Sequence, residues 1–217
     1  MRYVPSDKYT IAWFKLAECV AKGEKEKAFG VYRLLMHSFD DQAYAYQLEG
    51  DLLDAFQDYR AVEKYTHAAH LYIKSGKLRE AATLYRELIF MAPAEILFIQ
   101  RLIEIYNKAT NTDLTLKKIT TLAETLSEKK MYNHLTQIVQ LFARDTVSAQ
   151  LGRLYQNIAL TTIKNDDSDF EAKELLFEAI VSFFIQSAES QKLQEFMVII
   201  KETDDYWYNK ATVLLKC

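Results

Sequence analysis

The sequence predicts an all-α protein of about twelve antiparallel helices joined by short turns, and three observations carry that expectation. Glycine and proline are scarce, at 5 and 2 in 217 residues, against roughly 7% and 5% in average proteins. That leaves little room for β-hairpins or glycine-rich phosphate loops. Apolar residues recur at i, i+3, i+4, i+7 along most of the chain, the period of one helical face. These stripes are separated at short intervals by turn and capping residues.

The pattern is clearest from Val62 to Pro93. Tyr65, Ala68, Ala69 and Tyr72 form one stripe, and Leu78, Ala81, Leu84, Tyr85 and Leu88 form a second. Ser75-Gly76 separates them, because glycine enters the left-handed conformation that closes a helix at no steric cost. Pro93 ends the second helix: it lacks an N–H and pushes the residue before it out of helical geometry.

Taken in order, Pro5-Ser6-Asp7 supplies a helix start, and Trp13, Leu16, Ala17 and Val20 carry the first stripe up to Gly23. Ala28, Val31, Tyr32 and Leu35 form the next, with Glu24 to Lys27 solvating its first turn. Phe39-Asp40-Asp41 ends that helix and caps a third with Ala45, Leu48, Leu52 and Ala55, inside which Gly50 invites close approach by a neighbour. After Gln57-Asp58-Tyr59 comes a helix whose stripe fits two roles. Ala61, Tyr65 and Ala68 read as the second member of one pair, and Tyr65 to Tyr72 as the first member of another.

Beyond Pro93 the stripes are Ile99, Leu102, Ile103 and Tyr106; then, past a polar turn at Asn107 to Asp113, Leu116, Ile119, Leu122, Ala123 and Leu126. Leu135, Ile138, Val139 and Phe142 follow, and then Leu151, Tyr155 and Ile158. Asn165 to Asp169 is the longest polar interruption, the expected site of a flexible joint within a single domain over 1–217. Ile180, Phe183 and Phe184 lie in a long apolar helix. Ser190 to Glu195 echoes Ser75 to Glu80. A last helix from Asp204 or Asp205, with Trp207, Ala211 and Leu214, is expected to cap the stack.

The window 62–95 resembles the tetratricopeptide-repeat family, whose unit of about 34 residues follows W-x2-L-G-x2-Y…A-x3-F…P. Tyr65 stands in the tryptophan slot, Ala68-Ala69 in the Leu-Gly slot and Tyr72 in the tyrosine slot. Ala81, Tyr85 and Pro93 fill the later positions. Windows 96–131 and 132–165 are similar in their apolar slots without the proline, and 177–210 more loosely so. The resemblance implies a right-handed α-solenoid of degenerate repeats in which each helix pair buries its apolar surface against its neighbours.

It also implies a concave face lined by the first helix of each pair. The outward residues are then Glu63, Thr66, His70, Ile73 and Lys74; Gln100, Glu104 and Lys108; and Asn133, Thr136, Gln140 and Arg144. Carboxylate-binding members of the family use Lys, Asn and Arg at such places. Thr66 and His70 do not supply that clamp, so chaperone C-terminal tails are not the expected ligand.

Composition bounds function. The 27 Lys+Arg against 30 Asp+Glu give a net charge of −3, with no basic footprint for nucleic acid or anionic lipid. No run approaches the roughly 18 apolar residues of a membrane span, and the start lacks a signal-peptide core, so a cytoplasmic protein is expected. Cys19 and Cys217 indicate no disulfide framework, and Cys19 reads as a small core hydrophobe.

Candidate chemistry is sparse. Glu63, His67 and His70 form E-x3-H-x2-H, without the H-x3-H spacing of a zinc helix. His37 and His134 read as surface or boundary residues. Asp166, Asp167 and Asp169 resemble one end of a calcium loop but lack its glycine and its closing glutamate. Lys117-Lys118 and Lys129-Lys130 read as solvated doublets. No catalytic, cofactor-binding or metal-ligating set is assigned. The expected function is therefore a non-enzymatic scaffold that binds a protein or peptide partner on the concave face, with weak self-association as an option and neither nucleic acid nor membrane as partner. An adaptor or chaperone subunit of a larger bacterial complex such as a secretion system, a helical enzyme with an unrecognised site, and a membrane-associated variant if the amphipathic N-terminal helix around Trp13 and Phe14 is exposed, are the alternatives.

Overall fold

A computed structural model of the chain describes residues 7–37, 39–109, 112–142, 149–165, 169–186 and 190–216. Among these the chain is all-α, with twelve helices and no strand. It divides into two compact units, Met1–Pro93 and Ala94–Cys217. The expected joint at 165–169 is not where this division falls, and residues 166–168 lie outside the described set.

The first unit contains α1 (Asp7–Ala21), α2 (Lys25–Met36), α3 (Gln42–Ala55), α4 (Ala61–Lys74) and α5 (Leu78–Met91). Each helix packs on the next in sequence. Leu16 and Cys19 of α1, Ala28, Val31, Tyr32 and Leu35 of α2, and Leu48 and Leu52 of α3 form one buried cluster. Cys19 is thus the small core hydrophobe expected of it, whereas Trp13 and Ala17 of the expected α1 stripe are exposed, because the buried face is centred on Leu16 and Cys19. The Tyr32 hydroxyl crosses that cluster and donates to the Ala45 carbonyl at 2.9 Å.

Why the stripe of α4 fits two roles is now plain: α4 is buried against both α3 and α5. Its tyrosines fix it to α3, Tyr65 donating to Asp51 and Tyr72 to Gln47, each at 2.8 Å. Gly50 makes the close approach possible. A Cβ there would lie 2.6, 2.7 and 3.1 Å from three carbons of the Tyr65 ring.

Four turns share one geometry. At Gly23, Gln57, Gly76 and Lys130 the backbone has φ between 54° and 75°. In each, this residue's N–H bonds a carbonyl three back, and the following N–H bonds one at the fifth position before it. This Schellman arrangement satisfies carbonyls that a helix end otherwise leaves open. The turns at Gly23 and Gln57 are tied together, because Lys25 reaches Asp58 at 2.7 Å. Asp58 also holds Arg60 at 2.5 Å, and hydrogen bonding from Arg60, then Lys25, keeps its carboxyl well below the usual range.

The second unit contains α6 (Leu97–Ala109), α7 (Thr112–Glu128), α8 (Tyr132–Phe142), α9 (Ala149–Lys164), α10 (Phe170–Gln186), α11 (Ser190–Thr203) and α12 (Asp205–Leu214). Contacts to the next-but-one helix run α6, α8, α10, α12 in one row and α7, α9, α11 in another. The two rows meet across α6 with α7, α7 with α8, α9 with α10, and α10 and α12 with α11. The core is aromatic toward its end: Phe184 stacks on Phe196 at 4.8 Å, and Phe177 meets Trp207 at 4.8 Å. Asp204 caps α12 through the Tyr206 and Trp207 N–H groups. Lys210 then ties α12 to Glu174 at 2.7 Å and Glu178 at 2.9 Å.

One sequence echo does not carry its structure. Ser75 closes α4, whereas Ser190 opens α11, so matching residues occupy opposite ends of a helix.

Three substitutions check this account. Gly50→Ala removes a helix-breaking residue, a gain of up to about 1 kcal/mol. The clash with a tyrosine ring pinned at its hydroxyl outweighs that gain, so urea denaturation shows a net loss of roughly 1–3 kcal/mol. Gly30→Ala, with nothing within 4 Å of the new Cβ, gains about 0.5–1 kcal/mol instead. Gln57→Gly relieves a left-handed side-chain-bearing residue and raises stability by roughly 1 kcal/mol.

Candidate functional site

In the second unit a groove of about 790 Å³ runs between α7 and α9. The sequence of α7 explains its wall. Ile119, Leu122, Ala123 and Leu126 are buried. The opposite stripe, Lys117, Thr120, Thr121, Glu124, Ser127 and Glu128 at i, i+3, i+4, i+7, i+10, i+11, is left to line the groove. From α9 come Arg153, Leu154, Asn157, Ile158 and Thr161.

The groove is electrically polarised. Asn165, one residue past α9, donates to the Tyr132 hydroxyl at 3.3 Å, and Tyr132 opens α8 directly after the turn that ends α7. The C-terminal ends of α7 and α9 therefore lie side by side. Lys117 and Arg153 stand near the two N-terminal ends, and Glu124 and Glu128 near the C-terminal end of α7. Both helix dipoles point the same way as these charges. Among the described residues none of these four has an ion-pair partner within 4 Å.

Hydrogen-bonding capacity is also left over. Thr121 and Thr161 donate to their own helix at Lys117 and Asn157 carbonyls, 3.2 and 2.9 Å away, so their oxygens face the groove as acceptors. Ser127 is 5% exposed, and its hydroxyl has no hydrogen-bond partner among the described residues. Such a buried group is rare in folded proteins and calls for a reason.

The residues expected to form a concave face fare unevenly. Glu63, His70 and Lys74 are exposed along α4, and Thr66 is half-buried with its hydroxyl on the Val62 carbonyl at 2.7 Å. On α6, Glu104 is paired with Arg101 at 2.9 Å, Lys108 is exposed, and Gln100 reaches Gln137 of α8 at 3.5 Å. Asn133 and Gln140 are exposed, Gln140 accepting from Gln137 at 3.4 Å. Thr136 is not a surface residue. It is buried, and its hydroxyl bonds the Tyr132 carbonyl at 3.0 Å, because α8 is enclosed on more sides than a two-faced helix. Arg144 lies outside the described residues.

Among the histidines, His67 lies 4.3 Å from the Tyr46 ring and His37 ends α2. His134 corrects a surface assignment: it is 2% exposed, its Nε2 has no partner among the described residues, and burial lowers its pKa. Tyr155 is likewise buried without a partner for its hydroxyl among the described residues, its ring edge-on to Phe183, and burial raises its pKa. No group of three or more His, Cys, Asp or Glu among the described residues is placed to hold a metal ion. Of the acidic loop, Asp169 is described and accepts from the Ala172 N–H at 3.4 Å. Nor is any described helix long and apolar enough to cross a membrane.

Sequence reasoning passed over the groove. Its one signal was the Lys117-Lys118 doublet, which proves divided: Lys117 lines the groove, whereas Lys118 lies over the Tyr106 ring at 4.9 Å. No protein-family model and no curated protein matches the chain.

With no partner for the hydroxyl to lose, Ser127→Ala leaves the denaturation midpoint unchanged or raises stability by up to about 1 kcal/mol. Thr162→Val, which removes a buried hydroxyl bonded to the Ile158 carbonyl at 2.7 Å, lowers stability by roughly 0.5–1.5 kcal/mol. A loss at Ser127 matching that at Thr162 contradicts this assignment.

Proposed function

We propose that the protein is a non-enzymatic interaction scaffold, a right-handed stack of degenerate helix pairs whose second unit binds an extended segment of a partner protein in the α7/α9 groove. The single observation that carries this reading is the groove's uncompensated polarity: two cations at one end, two carboxylates at the other, and no internal partner among the described residues for any of them. Two rows of next-but-one contacts support the repeat reading, since a stack of helix pairs generates that order.

The groove suits a partner better than the α6/α8 surface first expected to bind it. There Glu104 is neutralised by Arg101, Gln100 and Gln140 are tied to Gln137, and Thr136 is buried. In the groove, by contrast, Asn157 and the threonine oxygens offer donors and acceptors to a peptide backbone. From Lys117 to Glu128 the wall of α7 spans roughly 16 Å at 1.5 Å per residue, which an extended peptide covers in about five residues. The segment recognised carries an acidic side chain toward the Lys117 and Arg153 end and a basic one toward Glu124 and Glu128.

The test uses synthetic peptides with Glu and Lys separated by three to five residues, followed by fluorescence anisotropy. The double variant Lys117→Glu, Arg153→Glu binds at least roughly tenfold more weakly, a change of about 1.4 kcal/mol, while its unfolding midpoint stays unchanged. Equal affinity for wild type and variant overturns the reading.

A further inference from the structure

A second surface lies in the first unit and is independent of the α7/α9 groove. Between α1 and α3 runs a groove of about 410 Å³ lined by Trp13, Leu16, Ala17, Val20 and Ala21 on one side and Asp51, Leu52 and Ala55 on the other. Helix α1 is more apolar around its circumference than its packing requires. At about 100° per residue, Cys19, Ala12, Leu16, Val20, Trp13, Ala17, Ala21 and Phe14 follow one another around an arc of roughly 220°, interrupted by Thr10. A helix buried on one side needs an apolar stripe of about 100°. Leu16 and Cys19 account for that stripe, each 4% exposed. The surplus is open: Phe14 is 73% exposed, and Ala17 and Ala21 are exposed as well.

The α3 side of the same groove is acidic. Asp51 is the one charged residue in the lining among the described residues, and Asp54 follows it by one turn on α3. Asp51 accepts from the Tyr65 hydroxyl at 2.8 Å, and neither carboxylate has a Lys or Arg partner among the described residues. Asp51 is exposed at the edge of the groove, so a cation brought to this point meets an accessible carboxylate and favours its charged form. On the α1 side Lys22 is already neutralised by Glu18 at 2.5 Å. A channel between two helices takes a third helix ridge-into-groove.

We propose that the α1/α3 groove is a docking site for a basic amphipathic helix of a partner protein, its aliphatic residues at i, i+3, i+4, i+7 covering Trp13, Ala17 and Ala21 and a Lys or Arg set against Asp51 and Asp54. This is the helix-in-groove mode of recognition, with the acidic rim selecting the sign of the partner's charge.

The probe is a labelled peptide of Leu and Lys at helical spacing, compared with the same peptide carrying Glu for Lys, by anisotropy and by tryptophan emission of the full-length protein. The Leu/Lys peptide binds and shifts the emission, a shift lost in Trp13→Phe; the Leu/Glu peptide binds at least roughly tenfold more weakly. Asp51→Asn with Asp54→Asn weakens the Leu/Lys peptide about tenfold, and because the introduced amide oxygen still accepts from the Tyr65 hydroxyl the fold is kept. Ala21→Glu, at an exposed position, abolishes binding. Equal affinity for both peptides, or no effect of the Asp51 and Asp54 changes, overturns the proposal. So does self-association in sedimentation that Ala21→Glu removes, which assigns the groove to a second copy, or binding to neutral phosphatidylcholine vesicles that Ala21→Glu removes, which assigns it to a membrane surface.

Discussion

Helices of 10 to 17 residues lie around the length at which an isolated helix is marginal in water, and in proteins helical stability comes mostly from packing. Every helix in this chain therefore depends on burying its apolar stripe against neighbours, and that constraint orders the rest. It fixes which residues are large and apolar and sets how closely two helices approach. It also leaves the remaining faces for other work. At α4 the constraint acts on two sides at once, and the small residues Ala61, Ala68 and Ala69 are all fully buried. Their tyrosine neighbours then reach polar groups of α3 at their tips, which is how large aromatic side chains are buried without stranding a hydroxyl.

Chain reversal is the second condition. Compact helix pairs need turns of a few residues, and the Schellman geometry at four of them satisfies the open carbonyls while turning the chain. That the turns at Gly23 and Gln57 are also bridged by Lys25 and Asp58 ties two hairpin ends into one edge. Where burial demands end, α7 and α1 diverge. The spare face of α7 is polar with unpaired charges, and the spare face of α1 is apolar beside two carboxylates. These are two chemistries for two kinds of partner.

Much of the fold was legible because stripe and stop signals are local. Gly23 and Gly76 announce their turns, Asp41 and Asp204 their caps, and Gly50 a close neighbour. Gln57 and Lys130 adopt the same left-handed geometry as the glycines but carry side chains that signal nothing of it, so those turns were visible only through the polar residues around them. The burial of His134 and Thr136 was missed for a related reason. A period identifies one apolar face, while a helix in the middle of a stack is enclosed beyond that face. The groove was the least legible feature. It depends on α7 and α9 lying side by side with all of α8 between them in sequence, and no local pattern encodes that adjacency. Asn157 and Arg153 carry no mark in the sequence that sets them apart, and only their neighbours across the groove give them a role.

The most direct test of the account places a photoreactive amino acid at Asn157, inside the α7/α9 groove, or at Glu104 on the α6 surface, and identifies in the native cell which peptides become attached. Attachment at position 157 of a recurrent protein segment carrying an acidic and a basic residue three to five positions apart, with none of it at position 104, is the predicted result. Attachment of the same segment at position 104 alone contradicts the groove as the binding site.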